Sequence, residues 1–289
     1  MGGQNLMNRR LVVAAGGTAV GAALVLSGCN GDGSANTENM KLSAGQALLK
    51  TSEKTAKADA FKADLTVTGT GDESGRIHAD GQFQLRPSLQ FSAKLDEVSR
   101  NGQTMPGAKG QAVFKDDVLY AKVPQLARFV SGGKPWLRVD VNQVSQHTGF
   151  DVRNLVDQVQ KVDPAEQTKM FTGSKDARRV GTETIDGVKT THYAGTVTVD
   201  DALNRLDAQA REKVGKWLPK DRANGKINFD LWTDGDNLPR KIVSKADGEG
   251  GDTASVTVLY SDYGKTFTVN PPPSDQVGQL TLGSLLGGN

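Results

Sequence analysis

Three stretches of two-residue alternation constrain the fold of this chain more than any other feature. Phe61, Ala63, Leu65 and Val67 alternate with Lys62, Asp64, Thr66 and Thr68, and Ile77, Ala79, Gly81, Phe83 and Leu85 alternate with Arg76, His78, Asp80, Gln82 and Gln84. A third run, Leu89, Phe91, Ala93 and Leu95, follows the break at Pro87. A period of two sends successive side chains to opposite faces of a strand, so each run has one apolar and one polar side. These are half-buried strands of an antiparallel sheet, since strands covered on both faces read as continuous apolar runs.

Further strands are expected over Gly110–Phe114, Val118–Val123, Trp136–Val141, Arg179–Ile185, Lys189–Val199, Lys226–Trp232, Arg240–Lys245 and Ser255–Ser261. Asp186-Gly187 is a two-residue hairpin turn, and Asp234-Gly235-Asp236-Asn237 a longer one. Ser43 with Gln46 has capping-box spacing and opens a helix to about Ala58. Two more helices are expected, near Val152–Val162, stopping before Pro164, and near Asp201–Leu218, stopping at Pro219. The pattern predicts an α+β fold in which helices cover one side of a large antiparallel sheet. About eleven strands exceed what an open flat sheet tolerates, so the sheet should curl into a half-barrel with helices on its concave side. Either a filled core or a cavity then lies between that side and the helices.

The N-terminus sets the location. Arg9 and Arg10 precede an uncharged run from Leu11 to Leu26, and Leu26-Ser27-Gly28-Cys29 follows. This is the order of an export signal: basic region, apolar region, small-residue cleavage zone. The run is shorter than the roughly 20 apolar residues a spanning helix needs, and several glycines dilute it. Leu26-Ser27-Gly28-Cys29 resembles the bacterial lipobox, whose Cys accepts a diacylglyceryl group before cleavage just ahead of it. Cys29 is therefore the expected lipidation site, anchoring the chain on the extracytoplasmic face of the cell membrane. Residues 1–28 are read as the signal peptide and 29–41 as lipidated Cys and tether, because Asn30–Met40 is rich in Gly, Asn, Ser and Thr. Residues 42–273 are then the folded domain and 274–289 a flexible tail.

Charge excludes some partners. Lys and Arg number 35 against 33 Asp and Glu, and loss of Arg9 and Arg10 with the signal leaves the two classes matched. A neutral chain has no electrostatic basis for holding nucleic acid. Two acyl chains anchor without a basic patch. One Cys excludes an internal disulfide and a Cys-rich metal site. The sequence has no nucleophile elbow, H-E-x-x-H, P-loop or dinucleotide fingerprint, so no catalytic residue, cofactor or metal is assigned. His78, His147 and His192 fall in separate elements, with His78 and His192 read as surface groups on strand faces; Asp234, Asp236 and Asn237 are read as turn residues, and Lys169, Lys175, Arg178 and Arg179 as a solvated face open to lipid headgroups.

Several segments together resemble the actinobacterial LppX/LprG-type lipoproteins. They are the lipobox, the tether and short helix, Phe61–Gly69, Val118–Val123, Val180–Val188 with Thr191-His192-Tyr193, and Leu231–Asp234 with Leu238–Lys241. The closing strand ahead of Pro271-Pro272-Pro273 completes the match. The resemblance implies a fold similar to that of the LolA/LolB carriers, with a hydrophobic cavity for the acyl chains of a lipid or glycolipid, and no catalytic motif.

An independent physical argument points the same way. Carrying roughly 15 carbons exposed to water costs on the order of 12 kcal/mol, at about 0.8 kcal/mol per CH₂. A carrier therefore needs an apolar pocket, and moving a chain from bilayer to pocket is nearly neutral. Only 6% of residues are aromatic, which suits an aliphatic lining. The candidate lining residues are Leu65, Val67, Ile77, Phe83, Leu85, Phe91, Leu95, Leu119, Leu137, Val139, Phe229 and Leu231, with ordinary core packing as the competing role of each. The leading expectation is a lipoprotein that carries or presents lipid, lipoglycan or acylated cargo. The alternatives are an envelope sensor or regulator acting through a membrane-protein partner, and a hydrolase whose residues converge only in three dimensions.

Overall fold

The computed structural model describes residues 42–71, 74–125, 127, 132–141, 163–208, 211, 225–247 and 252–279. Cys29, the signal and tether, His147, the helix expected over Val152–Val162 and most of that expected over Asp201–Leu218 lie outside the described residues.

The first element among the described residues is helix α1 (Ala44–Thr55). Its capping box is formed as the spacing predicts: the Gln46 amide donates to Ser43 Oγ at 3.3 Å and the Ser43 amide to Gln46 Oε1 at 3.0 Å. Ala47, Leu48, Thr51 and Thr55 form its buried stripe. Strands β1 (Ala60–Gly69), β2 (Gly75–Gln84), β3 (Gln90–Arg100), β4 (Gln103–Thr104), β5 (Gly110–Lys115), β6 (Val118–Lys122) and β7 (Trp136–Asp140) follow. Then come α2 (Pro164–Phe171), β8 (Arg178–Ile185), β9 (Val188–Thr198), α3 (Val199–Leu203), β10 (Lys226–Thr233), β11 (Pro239–Asp247), β12 (Thr253–Ser261) and β13 (Val277–Gln279).

All strands join one open sheet of order β13-β7-β6-β5-β3-β2-β1-β12-β11-β10-β9-β8, with β4 beside β3. Every pairing is antiparallel except β13 on β7. The two halves of the chain meet where β1 pairs β12, from Lys62 opposite Ser261 to Gly69 opposite Ala254. The expected α+β architecture is thus present. Leu48 of α1, Phe171 of α2 and Ala202 of α3 share one apolar cluster with Phe61, Phe83, Leu231 and Val258, so the helices cover the face that carries those side chains, here called the inner face. No helix among the described residues is long and apolar enough to cross a membrane.

The structure adds to one local reading and changes two. Pro164 starts a helix, at the first helical position of α2, with the Asp163 carboxylate accepting from the Ala165 amide at 2.8 Å, while the helix expected to stop before it lies outside the described residues. Proline suits that position because the amide it lacks would be unpaired there anyway. Helix α3 begins at Val199, ahead of the expected start, because Thr198 caps it by accepting from the Asp201 amide at 3.0 Å; it ends at Leu203, and Asn204-Arg205 form a turn. Residues 277–279, assigned by sequence to the tail, pair with β7, Val277 opposite Trp136. The approach to β13 crosses the outer face, where Val269 packs with Val113 and Trp136 in a second small core. Lys115 Nζ donates to the Val269 carbonyl there at 3.2 Å. The predicted Asp186-Gly187 turn is seen with φ of 48° and 78°, the left-handed pair that suits a tight hairpin.

Candidate functional site: the inner face of the sheet

Register aligns the inner-face side chains in rows that run across the strands. The first row is Phe61, Phe83, Phe91, Phe114, Leu119 and Val139, one from each of β1, β2, β3, β5, β6 and β7. Its rings meet successively, stacked for Phe61–Phe83 and Phe91–Phe114, with centroids 5.3 and 5.5 Å apart, and tilted for Phe83–Phe91, at 6.0 Å. All six residues are buried. Burial of each such side chain contributes roughly 1.5–3 kcal/mol, and each stacked pair about 0.5–1.5 kcal/mol more.

The second row is made of small residues: Ala63, Gly81, Ala93, Ala112 and Ala121, ending on Leu137. The first row leans into it. A Cβ on Gly81 would lie 2.9 Å from Phe83 Cζ and 2.9 Å from the Ser92 carbonyl oxygen, so the Phe83 ring already takes the space that this glycine leaves.

The third row runs from Leu231 through Ile242, Val258, Leu65 and Ala79 to Leu95, and the fourth from Phe229 through Ser244, Val256 and Val67 to Ile77 and Val98. Burial in these rows depends on the strand. Leu231, Ile242, Val258 and Phe229 are sealed, and Phe171 of α2 stacks on Phe229 at 4.3 Å. Gly195, opposite Phe229, makes this approach possible, since a Cβ there would lie 2.8 Å from Phe229 Cζ and 3.0 Å from Ala177 Cα. On β1–β3 the same rows are less covered: Leu65, Val67, Leu95 and Val98 are half-buried, as are Ser244 of β11 and Val256 of β12, and Ile77 is 41% exposed.

The structure therefore sorts the twelve candidate residues. Register places eleven of them on the inner face, and Leu85, just past the end of β2, packs against the same core. Phe83, Phe91, Leu119, Val139, Phe229 and Leu231 lie within the core, and Leu65, Leu85 and Leu137 pack against it, half-buried. Val67, Ile77 and Leu95 stand outside it. Sequence reasoning missed Val98 because a bulge between His78 and Ala79 breaks the alternation at Asp96. The available signal was an apolar residue recurring three positions after Leu95 instead of two.

The outer face is polar and closely paired. His78 sits between two carboxylates, Nδ1 2.6 Å from Asp96 Oδ1 and Nε2 3.0 Å from Asp64 Oδ2. The Asp96 hydrogen bond, aided by Asp64 and opposed by burial, raises its pKa above 6.5. His192 is buried and stacks on Trp232 at 4.1 Å. Its Nε2 bonds Asp230 at 2.8 Å, while Nδ1 lies 3.0 Å from Glu183 Oε1 without the alignment of a hydrogen bond. Asp234 behaves as the turn residue expected, its Oδ1 accepting from the Asp236 and Leu238 amides and its Oδ2 from Arg240 Nε. Of the basic cluster, Lys175 pairs with Asp201 at 3.2 Å and Arg178 and Arg179 are exposed. Two clefts, of about 380 and 200 Å³, open on this face among side chains such as Lys62, Asp64, Asp80 and Gln82. They are lined largely by polar side chains, and they lie opposite the side where sequence reasoning expects an aliphatic space. No group of three or more metal-ligating side chains occurs among the described residues.

No family model matches the chain. It is 30% identical over 228 residues to an uncharacterized 31.2 kDa protein of Streptomyces griseus, covering 76% of this chain and 65% of that one. It is 26% identical over 164 residues to a Streptomyces coelicolor protein provisionally named a lipoprotein, covering 57% and 49%. The chain thus spans less than two thirds of the length of these curated relatives. Among solved structures it is similar to LprF of Mycobacterium bovis, at TM-score 0.48 and 16% identity over 79% of this chain and 96% of that one. It is also similar to LppX of Mycobacterium tuberculosis, at TM-score 0.45 and 15% identity over 78% and 98%.

Proposed function

We propose that this chain is a membrane-anchored, extracytoplasmic lipoprotein that carries or presents an acyl-bearing cargo, a lipid, lipoglycan or acylated protein, on the uncovered part of its inner face. The observation that carries this reading is the aliphatic patch on β1–β3, where Leu65, Val67, Ile77 and Leu95 stay half-buried or exposed while Leu231, Ile242, Val258 and Phe229 of the same rows are sealed. Apolar surface left open on a core-facing side is a place for a hydrocarbon guest, which gains about 0.8 kcal/mol per CH₂ withdrawn from water. Diacylated Cys29 supplies the anchor, and about 12 tether residues give a reach of roughly 20 Å from the bilayer.

The test is mass spectrometry of lipid extracted from the purified full chain, with uptake of a fluorescent fatty acid by the lipid-stripped protein. Bound lipid and uptake that is lost in Ile77→Asp and Leu95→Asp support the reading. No lipid and no uptake would end it. Cys29→Ser should release the chain from the membrane fraction without altering uptake.

A further inference from the structure

Among the described residues the two most exposed large apolar side chains are Leu49 and Val180, each 52% accessible. Leu49 belongs to α1 and Val180 to β8, and these two elements touch. The contact falls on the N-terminal turns of the helix. Strand β8 lies five strands from β1 in the sheet, roughly 24 Å away at about 4.8 Å per strand. Helix α1 ends just ahead of β1 and is only about 18 Å long at about 1.5 Å per residue, so its far end is the part that reaches β8. Leu49 lies in the second turn, at that end.

Cations flank both side chains. Lys50 follows Leu49, and Lys54 and then Lys57, just past the helix end, continue one stripe at spacings of four and three residues. Arg178 and Arg179 precede Val180 and are exposed. The bulge between Arg179 and Gly181 leaves Val180 without a partner on β9, and a bulge re-aims the side chain it carries. Residues 44–57 and 178–185 together hold five cations against two carboxylates, Glu53 and Glu183, and Glu183 lies 3.0 Å from His192. Charges and a bulge also protect a sheet edge from other strands, but that role calls for no exposed valine and for nothing on α1. The chain ahead of the helix ties this corner to a place. Fourteen positions separate Cys29 from Ser43, the cap of α1, a flexible-chain reach of roughly 20 Å.

We infer that α1 and the β8 edge form a docking surface for the anionic face of a bilayer. Leu49 and Val180 enter the headgroup region, and the lysine stripe with Arg178 and Arg179 lies against the lipid phosphates. Apolar side chains ringed by cations are what such an interface binds. The surface rests on the anchor reading given above and adds an orientation to it. Two acyl chains hold a protein at the membrane without cations but leave it free to turn, whereas this surface fixes which side faces the lipid.

The test uses the mature chain from residue 29 with Cys29→Ser, made without residues 1–28, so that neither an acyl group nor the apolar run 11–26 binds lipid. Binding is measured by flotation with phosphatidylcholine vesicles, with and without one quarter phosphatidylglycerol. The chain should bind the anionic vesicles at least tenfold more tightly, and Leu49→Glu/Val180→Glu should remove at least a tenfold share of that affinity. Both positions are exposed, so thermal midpoint and fatty-acid uptake should stay at the parent values. With Cys29 replaced no other cysteine remains, so a polarity-sensitive dye can be placed at one position. It should brighten on anionic vesicles in Leu49→Cys and Val180→Cys, and not in Gln103→Cys, exposed on β4. No binding, equal binding to the two vesicle types, binding that the glutamates leave intact, or equal brightening at Gln103 overturns the docking surface. If vesicles do not bind but the same variants reduce recovery of a membrane protein with the acylated chain, the surface serves a protein and the proposal falls. An unaltered chain found wholly in the soluble fraction ends the anchor reading, and vesicle binding by the Cys29→Ser chain then decides the docking surface by itself.

Discussion

The two ends of β1–β3 carry the same alternating pattern and end up in opposite states. At one end Phe61, Phe83 and Phe91 meet in a sealed row that continues through Phe114. At the other, Val67, Ile77 and Val98 occupy the corresponding face and remain partly open. Nothing in the strands themselves separates these fates. What differs is the cover: Leu48 of α1 and Phe171 of α2 join the cluster that holds the aromatic row, and Val67, Ile77 and Val98 do not belong to it. An apolar face is thus a demand for cover, and the molecule meets that demand over part of its length only, leaving the remainder for a guest.

The sharpest way to break this comparison is to truncate one residue at each end. Phe91→Ala should cost ~3–5 kcal/mol of unfolding free energy in denaturant titration, since it opens a cavity in a closed row. Ile77→Ala, at a 41% exposed position, should cost under ~1 kcal/mol yet weaken fatty-acid uptake. Equal costs at the two ends would mean that both are core.

A second contrast concerns the cover over the packed end. Asp163, which caps α2, is pushed from 3.8 up to about 6, chiefly by burial and also by the nearby Glu166 charge, while the Ala165 amide opposes the shift. With the folded value above the unfolded one, the folded chain binds the extra proton between those limits, so stability falls as pH rises through that window. Asp163→Asn keeps a good cap and removes the buried charge. It should flatten the pH 4–6 slope in thermal melts and raise neutral-pH stability by no more than ~2–3 kcal/mol. A slope that survives the substitution would place its origin elsewhere.

The smallest effect belongs to the outer face. His78 titrates above its ordinary 6.5 because Asp96 and Asp64 hold the imidazolium. Its contribution is therefore complete below pH 6.5 and disappears as pH rises through the higher folded value. Both partners are partly exposed, so His78→Gln should cost less than ~1 kcal/mol at pH 5 and nothing at pH 9. A larger loss at pH 9 than at pH 5 would contradict the ion-pair geometry.

Much of the architecture is legible in particular residues. The runs at 61–67 and 77–85 mark their strands and faces, Ser43 and Gln46 mark the start of α1, and Asp186-Gly187 marks the hairpin between β8 and β9. Proline can stop a preceding helix and start a following one, and the capping by Asp163 shows that Pro164 does the second. Val98 is hidden by a bulge.

Alternation, turn chemistry and capping are local, so the amino-acid order alone determines which residues form strands and which side of each is apolar. Cover is not local. Whether an apolar side is sealed by Phe171, filled by the Phe83 ring or left open at Ile77 depends on which distant elements reach it, and long-range pairings such as β1 with β12 decide that only when the whole sheet has formed.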